Sequence, residues 1–365
     1  MIEKVNNQKD ILVVNPGSTS TKIALFAFDN LELKYERNIV HNDDVINSFP
    51  TIASQEEYRR NVISKLLTRE EYDLKNLAAV VGRGGMLFGL KGGGYRIDEV
   101  MYKKMASPEL PQHASSLGAL LAYSIAEPLK IPSFIYDSTM GCELMDIAKV
   151  SGIAGIKKYG ATHLLNSRAQ AIKYAEELER NYKELNFINC HMGGGITVNA
   201  MREGKVIDVA SYDDGPMGPE RSGGVPLLPF SKKFVNKGYS FEEVEKFIAG
   251  KGGLYSYLGT KDCREVERMI KSGDEHAKTI YEAMAYQIAK AIAGLSCAFE
   301  GKVDVIIITG GIAYSDMLVD MIKKFCGHIA PIIVMPGEKE MEALANGAFR
   351  ILNGEEPINT YNDNI

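Results

Sequence analysis

The chain has 365 residues, 45% of them hydrophobic and 24% charged, with 42 Lys and Arg against 47 Asp and Glu and hence a formal net charge of −5. That length points to two domains, and a composition so near the globular average excludes collagen-like, disordered and disulfide-scaffold chains. A mildly acidic balance supplies no basic field for nucleic acid or an anionic membrane surface, so any phosphate must be held locally.

The first ten residues are polar and lack the apolar stretch of a signal peptide. No later segment approaches the roughly 18 apolar residues of a membrane helix, so a soluble, cytoplasmic chain is expected. Residues 11–14 read as an apolar strand, 15–22 (NPGSTSTK) as a glycine- and hydroxyl-bearing turn, and 23–26 as the returning strand. Ser54 with Glu57 matches a capping box at a helix start. Arg83 sits in the run VVGRGG, a charge in apolar and glycine surroundings that needs an anion, whether ligand or protein. A helix is expected between Pro108 and Pro128, then a strand over 130–136 that ends in Asp137. Residues 187–190, the turn HMGGGIT (191–197) and the strand from Val198 repeat the first hairpin, and two such units half a chain apart suggest a duplicated domain. Ser240 with Glu243 forms a second capping box, closed by Gly250. Residues 274–299 carry an apolar stripe through Ile280, Met284, Ile288, Ile292 and Leu295, the pattern of one buried helix. A strand over 303–308, the run TGGIA (309–313) and a helix from about Ser315 follow, and the polar tail is expected to be disordered or surface-bound. This alternation of strands and helices is that of an α/β protein with largely parallel sheets.

A strand, a glycine turn and a returning strand can cradle phosphate when successive N–H groups point into the turn and hydroxyls add donors. Gly17, Ser18 and Ser20 suit that role, with Lys22 to meet the charge. A plain hairpin tip explains one such turn equally well, and the duplication shifts the balance toward a nucleotide. Neither a P-loop G-x-x-x-x-G-K-[ST] nor a G-x-G-x-x-G after a strand occurs. Gly310 and Gly311, at a strand's carboxyl end, would let a flat ring lie near the backbone, or would only pack strand on helix. Arg221 stands on the loop DDGPMGPERSGG (213–224), from which its fork could reach a transferring phosphoryl group or pair with the loop's own acids. Gly215 and Gly218 would lend this loop flexibility. His113, His163 and His191 lie at element ends beside glycine turns, whereas His41, His276 and His328 read as solvated. Met86, Leu87 and Phe88, next to Arg83, are candidate walls of a ligand pocket or else core. The five cysteines, odd in number and without C-x-x-C spacing, argue against disulfides and structural zinc.

The ordered set VVNPGSTSTK, GRGG, PQHASSLG, FIYDSTM, GATH, NCHMGGG, DDGPMGPERSGG, TGGIAY and PGEKEMEALANGA resembles the acetate kinase family over roughly residues 10–352. Pro16 in the first turn, the glycine-flanked Arg83 and the short chain resemble the butyrate branch more than the acetate branch. The resemblance implies an α/β, duplicated actin-like or sugar-kinase-like (ribonuclease-H-like) ATPase fold, two domains around a central cleft. The first is expected at 10–165, with a helix at 340–352 returning to it, and the second at 166–339. It also implies a homodimer or higher homo-oligomer that moves the γ-phosphoryl group of ATP to a short-chain carboxylate, giving ADP and an acyl phosphate, with Mg²⁺. By the same resemblance Asn15, Ser18, Ser20, Lys22, His191, Gly193, Gly194 and Gly195 approach the phosphates, and Asn15 also the metal. Arg83 and His113 match substrate-side positions, Asp137 and Arg221 the catalytic pair, and His163 the group steadying the transferred phosphoryl. Gly310, Gly311 and Ile312 match the adenosine pocket. Glu340 matches a magnesium-linked glutamate across a one-residue gap that leaves Glu338 and Glu342 as alternatives. A sugar kinase or a nucleotide-driven switch on the same fold are the competing readings. Asn15, where related sugar kinases and actin-like proteins usually carry aspartate, favours the acyl branch.

Overall fold

The computed structural model describes residues 9–111 and 113–362. By its contacts the chain divides into two compact units, one made of the residues up to Gly141 together with those from Lys339 onward, the other of Cys142–Glu338. The sequence reading put the first break near 165. The segment after Cys142 instead follows the second unit because the amides of Glu143 and Met145 bond the carbonyls of Val206 and Ile207.

Twelve strands occur among the described residues: β1 Asp10–Pro16, β2 Ser20–Ala27, β3 Leu33–Val40, β4 Leu77–Arg83, β5 Gly94–Arg96, β6 Ser133–Tyr136, β7 Phe187–Met192, β8 Ile196–Arg202, β9 Lys205–Ala210, β10 Val305–Gly310, β11 Ile332–Pro336 and β12 Asn359–Thr360. The first unit's sheet has the order β12-β5-β6-β4-β1-β2-β3, the second's β11-β10-β7-β8-β9. In each, three strands form an antiparallel meander (β1-β2-β3, β7-β8-β9). On the other side of the first meander strand, parallel strands follow (β4 and β6, or β10 and β11). The duplication read from the two glycine hairpins is therefore a duplication of topology.

Strands β1, β7 and β10 are almost wholly buried; β1 and β10 accordingly run apolar without alternation through 11–14 and 305–308, while β7 also buries Asn189 and His191. In the first unit, the helix Leu117–Ala126 lies against β4 where two glycines meet: a Cβ on Gly82 would sit 2.0 Å from the Gly118 carbonyl oxygen. The helix Glu340–Leu352 covers β1 and β4, with Gly347 flat against the Tyr136 ring. In the second unit the helix Glu275–Leu295 starts at the Asp274 cap and buries Tyr281, Met284, Ile288 and Ile292 at helical spacing over β8.

Two local expectations differ. Ser240 and Glu243 do form the capping box, but Ser54 does not cap a helix. A 3₁₀ turn, Ala53–Gln55, precedes the helix Glu56–Arg69, and the Ser54 hydroxyl turns back to the Thr51 carbonyl. His41 is not solvated: it is buried, and its Nε2 lies 2.8 Å from the Thr21 hydroxyl.

Candidate active site

On the first unit the functional side chains gather where β1, β4 and β6 end. Strand pairing puts Arg83 beside Tyr136, so Arg83 and Asp137 leave adjacent strands at the same edge. Arg83 forms a fork-on-fork pair with Glu340, Nη1 to Oε2 and Nη2 to Oε1, both 2.9 Å. The Asn15 amide donates to the same Oε2 at 2.7 Å. Glu340 opens its helix and brings its carboxylate back to the tip of β1. Of the alternatives, Glu342 is exposed and Glu338 lies on the second unit beside His191. The anion that Arg83 requires is thus a protein carboxylate.

Asp137 is buried with φ of 45°, a left-handed backbone that few non-glycine residues adopt. Its Oδ1 accepts from the Gly93 amide at 2.7 Å, and its own amide donates to the Gly93 carbonyl. No helix begins after it, so its placement is not that of an N-cap. Ser18 is exposed and Ser20 half-buried at the first turn, and Lys22 pairs with Glu36 at 3.0 Å. His113 is exposed and caps the 3₁₀ turn Ala114–Ser116, its Nδ1 2.6 Å from the Ser115 hydroxyl. Leu87 belongs to the core, whereas Phe88 is about half exposed and Met86 partly buried.

The family resemblance implies Mg²⁺, and the donors fit it. Asn15 Oδ1, which has no partner among the described residues, the remaining acceptor capacity of Glu340 and the Ser18 and Ser20 hydroxyls are all hard oxygen donors. They are few, as suits a cation that keeps waters and binds phosphate.

On the second unit, His191 is buried at the end of β7, its ring stacked on that of His163 with centroids 4.0 Å apart and planes inclined by 19°. His163 Nδ1 lies 3.0 Å from the Thr197 hydroxyl. His191 Nδ1 lies 3.2 Å from Asn166 Oδ1, which also accepts from the Thr309 hydroxyl at 2.9 Å. An amide oxygen only accepts, so this arrangement puts a proton on His191 Nδ1. Its Nε2 approaches Glu338 Oε1 at 3.3 Å without the alignment of a hydrogen bond. A buried chain of side chains, Asn189, Asn199, Thr162 and Thr197, continues behind the pair.

Arg221 lies under the second glycine turn. Its Nε is buried without a hydrogen-bond partner, and among the described residues the guanidinium forms no ion pair. Of the loop's acids, Glu220 pairs with Lys261 and Asp214 with Lys158. It rests 5.4 Å over the Tyr212 ring, and a Cβ on Gly195 would stand 3.1 to 3.3 Å from three of its atoms. The loop that carries it is bonded within itself, Gly215 to Ser211, Gly218 to Arg221 and Gly224 to Gly215, so it is packed where the sequence suggested flexibility. Beside it opens a cleft of about 860 Å³ lined by Gly193, Gly194, Glu220, Arg264, Gly311, Ile312, Tyr314 and Glu338. Gly310 has φ of 92°, and a Cβ there would be 2.4 Å from the Met192 carbonyl oxygen, so its role includes close strand packing. Apart from its chain neighbours, no atom of the described residues lies within 4 Å of a Cβ placed at Gly194 or Gly311. That leaves room for a ligand against the backbone.

The site residues named from the sequence thus form two sets. Asn15, Ser18, Ser20, Lys22, Arg83, His113, Asp137 and Glu340 lie on the first unit. His163, His191, Gly193, Gly194, Gly195, Arg221, Gly310, Gly311 and Ile312 lie on the second. Sequence reasoning missed Asn166 and Thr309, which lie in plain helix and strand contexts and acquire a role only through the fold.

Comparison with known proteins agrees with this architecture. The model of the acetokinase family matches residues 147–338. The acetate kinase of Porphyromonas gingivalis superposes with a TM-score of 0.76 at 20% identity, covering 94% of this chain and all of that one. A propionate kinase from Francisella tularensis subsp. tularensis gives 0.72 at 20%, covering 93% and 98%. A ROK hexokinase from Thermus thermophilus gives 0.51 at 13%, covering 95% and 100%. The fold is that of the actin-like ATPases.

Proposed function

From the premise that this chain belongs to the acetokinase family, and so is a carboxylate phosphotransferase, we propose that its acceptor is butyrate or a closely related short or branched acid. The reaction is reversible transfer of the γ-phosphoryl group of ATP, in line and direct, to a carboxylate oxygen. The single observation that carries phosphoryl transfer is Arg221, a guanidinium at the second glycine turn that no protein carboxylate neutralises among the described residues. A charge so held costs free energy unless an anion arrives to meet it.

A short carboxylic acid is ionised near neutral pH, so its attacking oxygen needs no general base. The obstacle is repulsion: two like unit charges about 4 Å apart cost roughly 4 kcal/mol at an effective dielectric of about 20. Arg221 and His163 would offset it on the nucleotide side, and Asp137 would position a cation. Arg83, held rigid by Glu340, and His113 would orient the acceptor carboxylate. The glycines at 193–195 would admit the phosphates, and Gly310, Gly311 and Ile312 the adenosine. Asn15 and Glu340 would hold Mg²⁺, which when bound neutralises phosphate charge.

Butyrate is favoured by Pro16 and by the glycine-flanked Arg83. Acetate or propionate is the second reading, favoured by the names of two structural neighbours. Two extra buried methylenes are worth about 1.6 kcal/mol, near fifteen-fold in affinity, so the choice is measurable. The test is incubation with ATP, Mg²⁺ and a panel of acids, trapping acyl phosphate as hydroxamate. Butyrate should give the highest kcat/KM. A higher value for acetate would move the assignment to the second reading.

A further inference from the structure

The first glycine turn is held from beneath by a residue that nothing above assigns. Arg59, on the helix Glu56–Arg69, is fully buried. Its Nη1 donates to the carbonyls of Gly17 and Ser20, both 2.8 Å, and to the Thr21 hydroxyl at 3.0 Å. Its Nη2 donates to the Ser18 carbonyl at 2.8 Å and, with Nε, to Gln55 Oε1. The remaining carbonyl of the turn, that of Thr19, accepts from the His41 amide. All four carbonyls from Gly17 to Ser20 are therefore drawn to the protein side. The amides of Ser18 and Thr19 have no partner among the described residues and lie at exposed positions. Successive free amides above engaged carbonyls make an anion-binding concavity.

The second part of the observation is charge. Among the described residues Arg59 has no carboxylate within ion-pair distance, and its hydrogen-bond acceptors are all neutral. An isolated buried charge is expensive unless paired. Here the guanidinium lies directly against the carbonyls of the turn.

We propose that Arg59 is a positioning residue for phosphate on the first unit: its fork holds the 17–20 turn with amides outward, and its charge is the built-in counter-ion of the phosphate bound there. This rests on the proposed phosphoryl transfer, with the 17–20 turn in the phosphate-cradling role that the sequence gives it. Burial lowers the guanidinium to about 10, so it stays charged at neutral pH. The sequence carries the signal in retrospect: Gln55, Arg59, Ile63 and Leu67 recur every four residues and all are buried, so the arginine occupies the apolar stripe of its helix.

The test compares the unsubstituted protein with Arg59→Lys, which keeps the charge but loses the fork. It also includes Gln55→Met, which keeps Arg59 but frees its far side. Folding is checked by a thermal melt. Calorimetry measures Mg-ATP, inorganic tripolyphosphate and adenosine, and KM and kcat are read separately for ATP and butyrate. In Arg59→Lys, Kd for ATP and tripolyphosphate should rise at least tenfold, with adenosine affinity and the KM for butyrate within twofold. Gln55→Met should move the same two constants about threefold, and it decides the matter if Arg59→Lys does not fold. Unchanged ATP and tripolyphosphate affinity in folded variants would overturn the inference while leaving the proposed function standing. An unsubstituted protein that binds ATP but makes no acyl phosphate from any acid would sink the function and leave the role of Arg59 to the binding data.

Discussion

Alanine at Gly195 tests whether Arg221 acts on the reacting groups or only fills space. The new Cβ would stand 3.1 Å from Cζ, 3.2 Å from Nε and 3.3 Å from Nη1 of Arg221. Carbon contacts relax to about 3.5 to 4.0 Å, so the guanidinium must withdraw by roughly half an ångström. The withdrawal is inexpensive in stability. Nε has no hydrogen bond to lose, and the Tyr212 contact at 5.4 Å, which half an ångström only weakens, is worth about 1 to 2 kcal/mol in all. Catalysis is less forgiving. A displacement near 1 Å can cost about 100-fold, so about tenfold in kcat, or 1.4 kcal/mol of barrier, is expected here. Arg221→Ala alone should cost roughly 100- to 1000-fold. Adding Gly195→Ala to it should cost little more, since the atoms that clash are gone. Hydroxamate rates and a thermal melt on the four proteins complete the cycle. A Gly195→Ala enzyme with unchanged kcat, or one equally impaired with and without Arg221, would refute the reasoning.

Three further outcomes are expected. Gly194→Ala meets no atom of the described residues within 4 Å beyond its chain neighbours, so it should melt like the parent yet raise KM for ATP several-fold; an unchanged KM would remove this turn from the nucleotide site. Asn166→Leu deprives His191 Nδ1 and Thr309 of their shared acceptor. It should cost about 1 to 3 kcal/mol in denaturant melts and lower kcat more than it raises KM for ATP, whereas a loss of stability alone would make the network purely structural. His41, held near 4 by burial and by Arg59, is neutral when folded at pH values where the unfolded chain protonates its imidazole. Its contribution is thus complete above about 6.5 and lost as pH falls toward 4, up to about 3 kcal/mol. In His41→Gln the stability measured by urea melts should fall less steeply over that window, and an identical slope would contradict the assignment.

The strands and the glycine turns are legible in the sequence because unbroken apolar runs and clustered glycines are local signals. So is the duplication, since both hairpins repeat one pattern. What is not legible depends on distant chain. Arg83 and Glu340 are 257 positions apart, and only the return of the last helix to β1 joins them with Asn15. Arg59 hides in the charged run EEYRR, where its burial shows only through a four-residue stripe. His41 follows a polar strand and looks solvated until Thr21 is placed against it. Ser54 carries a correct capping spacing, but the 3₁₀ turn before its helix satisfies the first amides in another way.

Transfer of phosphorus to a carboxylate oxygen leaves a mark that can be read directly. Butyrate labelled with ¹⁸O in its carboxyl group, incubated with the enzyme, Mg²⁺ and ATP, should give butyryl phosphate whose ³¹P resonance shows ¹⁸O in the bridge between carbon and phosphorus, at a rate matching ADP release. ADP release accompanied by unlabelled inorganic phosphate and no butyryl phosphate would contradict the account.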